Sequence, residues 1–498
     1  MDASTSAQVL PGGVLEVRTH GRKGRSLYTT RHVKGGEIVL NEAPLLLLVA
    51  PEMAQATCAA CLRAVGTPDC ITCSGCHQAC FCSPACQQTA QATPWLHSAP
   101  ICSAYSRLAA LGLAEEEQGQ LRFLLHALAL RHAGTPEAES RFKALSGLVG
   151  EAMEAERAVA ARLAPALAEA LQGVGAGGSL LAAALDLEAL ARLLRKEQLN
   201  SYGVLASRQQ AAAAAAAGQQ QRQQRAGGEG RGGGRATTAS GGGGGAAGGG
   251  AGEGDEDGER RLRGSALYAQ ASLINHECLP NVARFDFFDA LRPDAGSTHV
   301  TFRALHDLPP GTELAQSYVP LHWSLQERQA QCREVYGFDC TCPRCQTESQ
   351  WSDEEEEGEE NEWETDSGDG GDMETDAAAG EEAAGEEAGG DDGEVEMQDA
   401  QPPIVAPPGE EGPLEPTYLR LFLLKYMCSA PGCFGTAAPP KPGSTVLECN
   451  VCGRARSEKE FLRELERNMQ PQQQQQRERQ EQQQQRQQGA GRSGSARR

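Results

Sequence analysis

Hydrophobic and polar residues alternate from Val14 to Val49, and glycines at 21–24 and 35–36 mark turns between the alternating runs. Alternation with a period of two is typical of strands that bury one face. Between 106 and 196 the pattern changes, because Ala, Leu and Glu recur at the spacing of successive helical turns. The pattern therefore predicts an opening β unit followed by a helical insert.

Folded patterns resume after residue 262. A helix is predicted from Ser265 to Ile274, and alternating runs at 300–304 and 314–318 predict strands joined by a Pro-Pro-Gly turn at 309–311. These strands would complete the sheet that the N-terminal unit begins. The predicted fold class is mixed α+β, with a β core interrupted by the helical insert.

Three segments lack a hydrophobic period. Residues 205–262 are rich in Gly, Ala and Gln, residues 350–412 are acidic, and residues 466–498 are mainly Gln and Arg. Such compositions bury too little apolar surface to offset the entropy lost on ordering. A disordered loop, a disordered linker and a disordered tail are therefore predicted.

The formal net charge of −22 arises mainly in the acidic linker, so the folded parts are less acidic than the total indicates. The linker is either a solvated spacer or a polyanion that attracts basic partners such as histone tails. The tail offers arginines for phosphate contacts, but from residue 470 onward it has no aromatic side chain on which bases could stack. Direct nucleic-acid binding therefore stays open.

The 18 cysteines fall almost entirely into tight clusters, which favours zinc ligation in a reducing compartment over a disulfide scaffold. The first residues lack the basic start and apolar core of a secretory signal. The most hydrophobic run, at 43–51, is too short to span a bilayer. The sequence thus predicts a protein of the nucleus and/or cytoplasm without a membrane segment.

The segment 58–102 spaces its ligands as Cys-x2-Cys, Cys-x2-Cys, Cys-x3-Cys and His-x4-Cys, enough for two closed tetrahedral zinc sites. Closed sites of this kind are structural. Cys70, Cys80 and His77 lie in the same segment and could replace one of the ligands. The candidate ligands are Cys58, Cys61, Cys73, Cys76, Cys82, Cys86, His97 and Cys102.

A second group of motifs follows the disordered loop. It comprises Asn-His-Glu-Cys-Leu-Pro-Asn at 275–281, Gly-Thr-Glu-Leu at 311–314, Ser-Tyr at 317–318 and a Cys-x-Cys-x2-Cys tail. One cysteine of the core and three of the tail make a complete zinc set that would fasten the tail to the core. These four ligands are Cys278, Cys340, Cys342 and Cys345.

Two more cysteine pairs lie near the C-terminus, on either side of a Pro-rich loop. They predict one zinc ribbon, whose role as a structural cap, a peptide binder or a nucleic-acid binder stays open. Its ligands are Cys428, Cys433, Cys449 and Cys452.

In order and spacing, these motifs resemble the SET-and-MYND group of protein lysine methyltransferases. Lys-Gly-Arg-Ser-Leu at 23–27 is similar to the first SET motif, although Ser26 stands where the family often has a second glycine. The ribbon, preceded by an acidic stretch, resembles the terminal module of plant SET-domain histone-lysine methyltransferases. The implied units are an N-terminal SET part at 12–50, a MYND-type finger at 58–102, a helical insert at 103–204, the disordered loop at 205–262, a C-terminal SET core at 263–320, a post-SET segment at 321–347, the acidic linker at 350–412, the ribbon at 416–460 and the tail at 466–498.

The resemblance also implies ligands and roles. One finger zinc would be held by Cys58, Cys61, Cys82 and Cys86, and the other by Cys73, Cys76, His97 and Cys102. Two zincs in the finger, one in the post-SET segment and one in the ribbon are expected. The cofactor would be S-adenosyl-L-methionine, bound by Lys23, Gly24, Arg25, Asn200, Asn275, His276 and Phe338. Tyr318 and Tyr336 would be the catalytic residues, with Tyr336 lining the channel of the substrate lysine.

The implied reaction is a single in-line methyl transfer to a lysine ε-amine of a protein substrate, histone or non-histone. The bend at Lys23–Arg25 offers backbone groups for the amino-acid part of a cofactor. Tyr318 would orient an uncharged amine, so that positioning and electrostatics supply the rate. The alternative is a catalytically silent scaffold whose finger binds Pro-containing peptides.

Overall fold

The computed structural model describes residues 8–21, 23–66, 70–172, 186–206, 261–290, 296–350, 414–465 and 467. Most of the predicted loop, acidic linker and tail lie outside these residues; positions 205, 206, 261 and 262 at the edges of the loop are described. Among the described helices, none combines the length and the apolar character that crossing a bilayer requires.

The strands are β1 (Gln8–Val9), β2 (Leu15–His20), β3 (Gly24–Thr29), β4 (Ile38–Glu42), β5 (Leu46–Val49), β6 (Ile71–Thr72), β7 (Cys80–Phe81), β8 (Ser201–Leu205), β9 (Leu262–Leu267), β10 (Asn275–His276), β11 (Val282–Asp286), β12 (Val300–Ala304), β13 (Ala315–Gln316), β14 (Ala437–Ala438), β15 (Val446–Cys449) and β16 (Ala455–Ser457). The helices are α1 (Pro84–Ala92), α2 (Ala99–Ala110), α3 (Glu115–His132), α4 (Pro136–Ser146), α5 (Glu154–Leu171), α6 (Leu187–Asn200), α7 (Leu325–Gln331), α8 (Pro343–Glu348) and α9 (Pro416–Tyr426).

N-terminal strands pair with strands that follow the helical insert. Strand β4 is antiparallel to β12, with Leu40 opposite Phe302, and β12 continues to β11. Strand β5 is antiparallel to β9, which also pairs with β8. Inward side chains of these strands, among them Leu40, Leu47 and Phe302, share one buried core. The two ends of the β core are therefore joined across the finger and the insert.

The prediction of a helix from Ser265 to Ile274 is wrong. Residues up to Leu267 belong to strand β9, and only a short 3-10 turn, Ala271–Leu273, follows. Strand β9 lies between β5 and β8, and an added Cβ at Gly264 would be 2.3 Å from the carbonyl oxygen of Leu48. Tertiary pairing on both edges thus decides the conformation over the local sequence preference.

The finger, the insert and strand β5 share a second core. Within it the Nδ1–H of His126 donates to the carbonyl oxygen of Trp95 at 2.7 Å, which leaves Nε2 to accept from the Tyr105 hydroxyl, also at 2.7 Å. Burial lowers the pKa of His126 to about 4, so the ring is neutral at physiological pH. This satisfied network ties the finger to helices α2 and α3.

The ribbon docks on the outer side of β11 and β12. Phe422 and Tyr426 of α9 pack with Phe285 and Leu305 of the core. The guanidinium of Arg303 donates to Glu448 at 2.7 Å and lies 4.0 Å from the centre of the Phe285 ring. Because this interface combines an apolar centre with a partly buried ion pair, the ribbon packs directly against the β core.

Two further contacts extend this interface. The backbone of Gly36 lies so close to Lys441 that an added Cβ would be 2.5 Å from its carbonyl carbon. The ring of Phe434 stacks on His322, with centroids 3.9 Å apart. The ribbon therefore contacts both the turn before β4 and the segment that follows Tyr318.

Candidate active site and zinc clusters

Among the residues that the structure describes, four groups of Cys and His residues bring their ligand atoms within 4.8 Å of one another. In ten measured pairs the separations are 3.5–3.9 Å between sulfurs and 3.4 Å from His97 Nε2 to the sulfurs of Cys73 and Cys76. A tetrahedron with zinc–sulfur bonds of about 2.3 Å has edges of about 3.8 Å. The geometry therefore fits zinc. The groups are Cys58, Cys61, Cys82 and Cys86; Cys73, Cys76, His97 and Cys102; Cys278, Cys340, Cys342 and Cys345; and Cys428, Cys433, Cys449 and Cys452.

Cys70, Cys80 and His77 lie outside these groups. The thiol of Cys80 is buried and donates to the carbonyl oxygen of Thr57 at 3.3 Å. His77 adopts a left-handed conformation, and its backbone oxygen accepts from the Gln55 amide. Burial lowers the pKa of His97 to about 4, which keeps its ring in the neutral form that binds metal.

The post-SET cluster lies beside two buried arginines. Arg328 is fully buried and pairs with Glu348, whose other oxygen accepts from Arg344 at 2.6 Å. Arg344 also donates to the carbonyl oxygen of Leu321 at 2.8 Å. Two guanidiniums with one carboxylate leave one positive charge, which four metal-bound thiolates compensate. A negatively charged metal–thiolate cluster is therefore compatible with the two buried arginines.

The ribbon cluster depends on a glycine. An added Cβ at Gly435 would be 2.4 Å from Cys449 Sγ and 2.9 Å from the Asn450 side-chain oxygen. The loop thus passes too close to the ligand sulfur for any larger residue. Gly435 is therefore part of the ribbon site, although its backbone is not in the left-handed region.

We expect about four zinc ions per wild-type chain and about three in Gly435→Ala, because the added methyl displaces the Cys449 sulfur. Elemental analysis after gel filtration measures both values. Gly21→Ala is the matched control, since nothing lies within 4 Å of its added Cβ, and it should keep all four. An unchanged zinc content in Gly435→Ala would contradict the assignment of the ribbon site.

Three of the predicted cofactor residues, Lys23, Gly24 and Asn275, lie at or beside the β2–β3 hairpin. Gly24 has a φ of +71°, and the Lys23 amine beside it donates to the carboxylate of Glu313 at 3.0 Å. Burial opposes the charge of Lys23, but the hydrogen bond and charge of Glu313 outweigh it and raise the pKa of the amine. The Asn275 amide donates to Glu313 at 3.0 Å and to the Ser26 hydroxyl at 2.7 Å. Ser26, the departure from the family pattern, is thus fully buried and hydrogen-bonded.

His276 joins Tyr318 to the post-SET cluster. Its Nδ1 accepts from the backbone N–H of Tyr318 at 2.9 Å, so the proton of the neutral ring is on Nε2, which lies 3.3 Å from Cys278 Sγ. Burial lowers the pKa of His276 to about 4, which keeps the ring neutral. Because both ring nitrogens are used within the protein, only the backbone and the ring face of His276 remain for a cofactor.

Aromatic rings line the space next to His276. The Tyr318 hydroxyl donates to the carbonyl oxygen of Ile274 at 2.9 Å, and burial raises the pKa of Tyr318 well above its ordinary value. The Tyr336 ring centre is 4.9 Å from that of Tyr318 and 6.4 Å from that of Phe338. Phe338 keeps 36% of its surface exposed, which leaves an aromatic face for a ligand.

Arg25 and Asn200 approach this site through the loop at 147–150. Arg25 donates to the carbonyl oxygen of Gly147 at 2.5 Å, and the Asn200 amide donates to the carbonyl oxygens of Val149 and Lys196 at 2.8 Å. Among the described residues, no hydrogen bond links the Asn200 side chain directly to the β2–β3 hairpin. The structure therefore places Asn200 at the end of α6, where it holds the loop that Arg25 contacts.

Several site residues received no role from the sequence. Glu313 belongs to the Gly-Thr-Glu-Leu motif, and Tyr28 donates to its carboxylate at 3.1 Å from across the hairpin. Arg328 and Arg344 belong to no recognised motif. Their role depends on their burial beside the cysteines, which the sequence does not reveal. The position of Glu313 within a recognised motif is the one signal that could have identified a polar site residue.

Comparison with known proteins agrees with this geometry. The SET domain family model matches residues 194–319, which include Asn275, His276, Glu313 and Tyr318. The histone-lysine N-methyltransferase ASHR2 of Arabidopsis thaliana is 29% identical over 471 residues, which cover 90% of this chain and 97% of that protein. An alignment of this length includes the finger and the insert and reaches into the ribbon.

Two human proteins match a shorter part. The histone-lysine N-methyltransferase SMYD3 is 34% identical over 90 residues, and the N-lysine methyltransferase SMYD2 is 33% identical over 92 residues. Each match covers 18% of this chain and 19% of the human protein. Together with the zinc-capable clusters, these similarities support a SET-and-MYND-like protein-lysine N-methyltransferase.

Proposed function

We propose that this chain methylates the ε-amine of a lysine in a protein substrate with S-adenosyl-L-methionine as the methyl donor, in a single in-line displacement. The observation that carries the proposal is the convergence of Asn275, His276 and Tyr318 through the parallel pair β10–β13, with hydrogen bonds at 2.7 and 2.9 Å. The β2–β3 hairpin and the post-SET aromatics close the same site.

The donor set fits this cofactor. The Lys23 ammonium complements a carboxylate, the Asn275 carbonyl oxygen complements an ammonium, and the exposed face of Phe338 suits an adenine ring. Backbone groups at Gly24 and Arg25 and at the end of α6, with Asn200, would complete the pocket. When bound, the cofactor supplies an electrophilic methyl group on a sulfonium.

The residues of the channel act by positioning. The phenol of Tyr318 stays protonated, because burial raises its pKa far above physiological pH. Tyr318 and Tyr336 form a narrow, partly desolvated passage, which favours the uncharged form of a lysine amine. The Ile274 carbonyl oxygen, held by the Tyr318 hydroxyl, would help to orient the amine hydrogens. No covalent intermediate with the protein is needed.

The proposal extends to the domain organisation, the zinc content, the substrate class and the location of the protein. The strands of 12–50 and 263–320 would form one SET domain split by the finger, and the four clusters would each hold one zinc. Histone tails are the first substrate class to test, because the relatives named above include histone-lysine methyltransferases. A nuclear or cytoplasmic location is proposed with them.

Calorimetry of S-adenosyl-L-methionine with the zinc-loaded full chain tests the proposal, in parallel with mass spectrometry of mixed histones. We expect binding by the wild type and a loss of at least about tenfold in affinity for Asn275→Ala, since a hydrogen bond to a charged group is removed. Asn41→Ala is the control, because Asn41 contacts Thr301 and His299 on the sheet. A folded wild type that binds no cofactor would refute the enzyme and favour the scaffold that binds Pro-containing peptides.

A further inference from the structure

Glu313 is the centre of a polar cluster in which three side chains donate to one carboxylate. Its Oε2 accepts from the Lys23 amine at 3.0 Å and from the Tyr28 hydroxyl at 3.1 Å, and its Oε1 accepts from the Asn275 amide at 3.0 Å. These donors come from the loop before β3, from β3 and from β10. One side chain thus joins the hairpin to the Asn-His motif.

The carboxylate determines which way the Asn275 amide faces. A carboxylate accepts and does not donate, so the nitrogen of Asn275 must point to Glu313. The other N–H of the same nitrogen is directed to the Ser26 hydroxyl at 2.7 Å. With both N–H groups used, the only group that Asn275 can offer a ligand is its carbonyl oxygen, which recognises a donor such as an ammonium.

The charge of the cluster is also set by Glu313. Burial alone would raise the pKa of its carboxyl, but hydrogen bonds from Asn275 and Lys23 and the Lys23 charge bring the pKa below the ordinary value. The carboxylate is therefore ionised at physiological pH. In return it holds the otherwise flexible Lys23 amine against the hairpin.

We propose that Glu313 is a positioning residue that presents Lys23 and Asn275 to the amino-acid part of the cofactor. The inference rests on the proposed use of S-adenosyl-L-methionine. Replacement by Gln puts an N–H₂ group among three donors, so Lys23 or Asn275 must turn away. Recognition of the carboxylate and ammonium of the cofactor is lost, whereas recognition of its nucleoside is kept.

Two ligands distinguish recognition of the amino-acid group from recognition of the nucleoside. S-adenosyl-L-methionine carries the amino-acid group, and 5′-methylthioadenosine keeps the nucleoside and the thioether without it. By calorimetry on the full zinc-loaded chain, Glu313→Gln should weaken the first by at least about tenfold and the second by less than about twofold. The matched control is Glu277→Gln, because the charge of Glu277 also acts on Lys23 but its carboxylate makes no side-chain hydrogen bond with the described residues. It should bind both ligands within about threefold of wild type.

The outcomes are distinct. Equal weakening of both ligands in Glu313→Gln, or no weakening of either, refutes the positioning role while the proposed cofactor stands. Equal effects in Glu313→Gln and Glu277→Gln also refute it, because general charge and not the hydrogen bonds would then decide affinity. Failure of the wild type to bind S-adenosyl-L-methionine refutes the proposed function itself, and this inference with it.

Discussion

Tyr318→Phe is expected to lower kcat for methyl transfer by at least about 100-fold while leaving the affinity for S-adenosyl-L-methionine within about threefold. The hydroxyl is held by the Ile274 carbonyl oxygen at 2.9 Å, and the ring lies 4.9 Å from that of Tyr336. Removal of the hydroxyl leaves the ring packing in place but frees the carbonyl oxygen from its partner. The lysine amine then loses the groups that orient it, whereas the cofactor keeps Lys23, Asn275 and Phe338.

Loss of a buried hydroxyl also destabilises a protein by about 1–3 kcal/mol when its partner is left unsatisfied. Tyr268→Phe separates this effect from catalysis, because the Tyr268 hydroxyl likewise donates to a backbone carbonyl, that of Thr298, at 3.1 Å. The two variants should lose similar thermal stability, measured by melting temperature. If Tyr268→Phe slows methyl transfer as much as Tyr318→Phe does, Tyr318 has no special role in the reaction.

The cysteine clusters show what sequence can predict about this protein. Spacing alone indicates pairs of ligands, since a tight turn brings two thiolates to one metal. The resemblance then groups the pairs, and the groups it implies are those whose ligand atoms converge in the structure. Such grouping succeeds because a closed zinc site needs four ligands and leaves little freedom in choosing them.

The remaining features depend on tertiary contacts. The segment 262–267 forms a strand because β5 and β8 pair with it on both sides, which no local pattern reports. The role of Glu313 follows from donors that lie up to 290 residues away in the sequence. The ribbon packs on the core through Arg303 and Tyr426, and neither residue spacing nor composition predicts this contact.

Cys345→Ser is expected to remove one zinc ion, to lower the melting temperature and to abolish detectable binding of S-adenosyl-L-methionine. Cys345 Sγ lies 3.6 Å from Cys278 Sγ, so the substitution breaks the link between the tail and the core. The effect is large because Arg328 and Arg344 are buried beside the cluster with Glu348 as their shared carboxylate. Without metal-bound thiolates one buried positive charge is uncompensated, which costs about 3–5 kcal/mol.

The damage should reach the cofactor site through His276 and through Phe338. His276 Nε2 lies 3.3 Å from Cys278 Sγ, and the same ring accepts from the backbone of Tyr318. When the cluster opens, His276 loses its partner and Phe338 is no longer held next to it. The post-SET zinc would therefore support both the catalytic tyrosine and the aromatic face for the cofactor.

Cys86→Ser is the matched control, because it removes one ligand from a finger cluster and should also lower the zinc content by one. We expect this variant to keep its affinity for S-adenosyl-L-methionine within about threefold, because no described contact joins Cys86 to the Asn275–Tyr318 site. Zinc content, melting temperature and calorimetry on both variants measure the difference. Equal loss of cofactor binding in the two would mean that zinc acts on the global stability of the fold, and retained binding in Cys345→Ser would show that the post-SET cluster does not support the site.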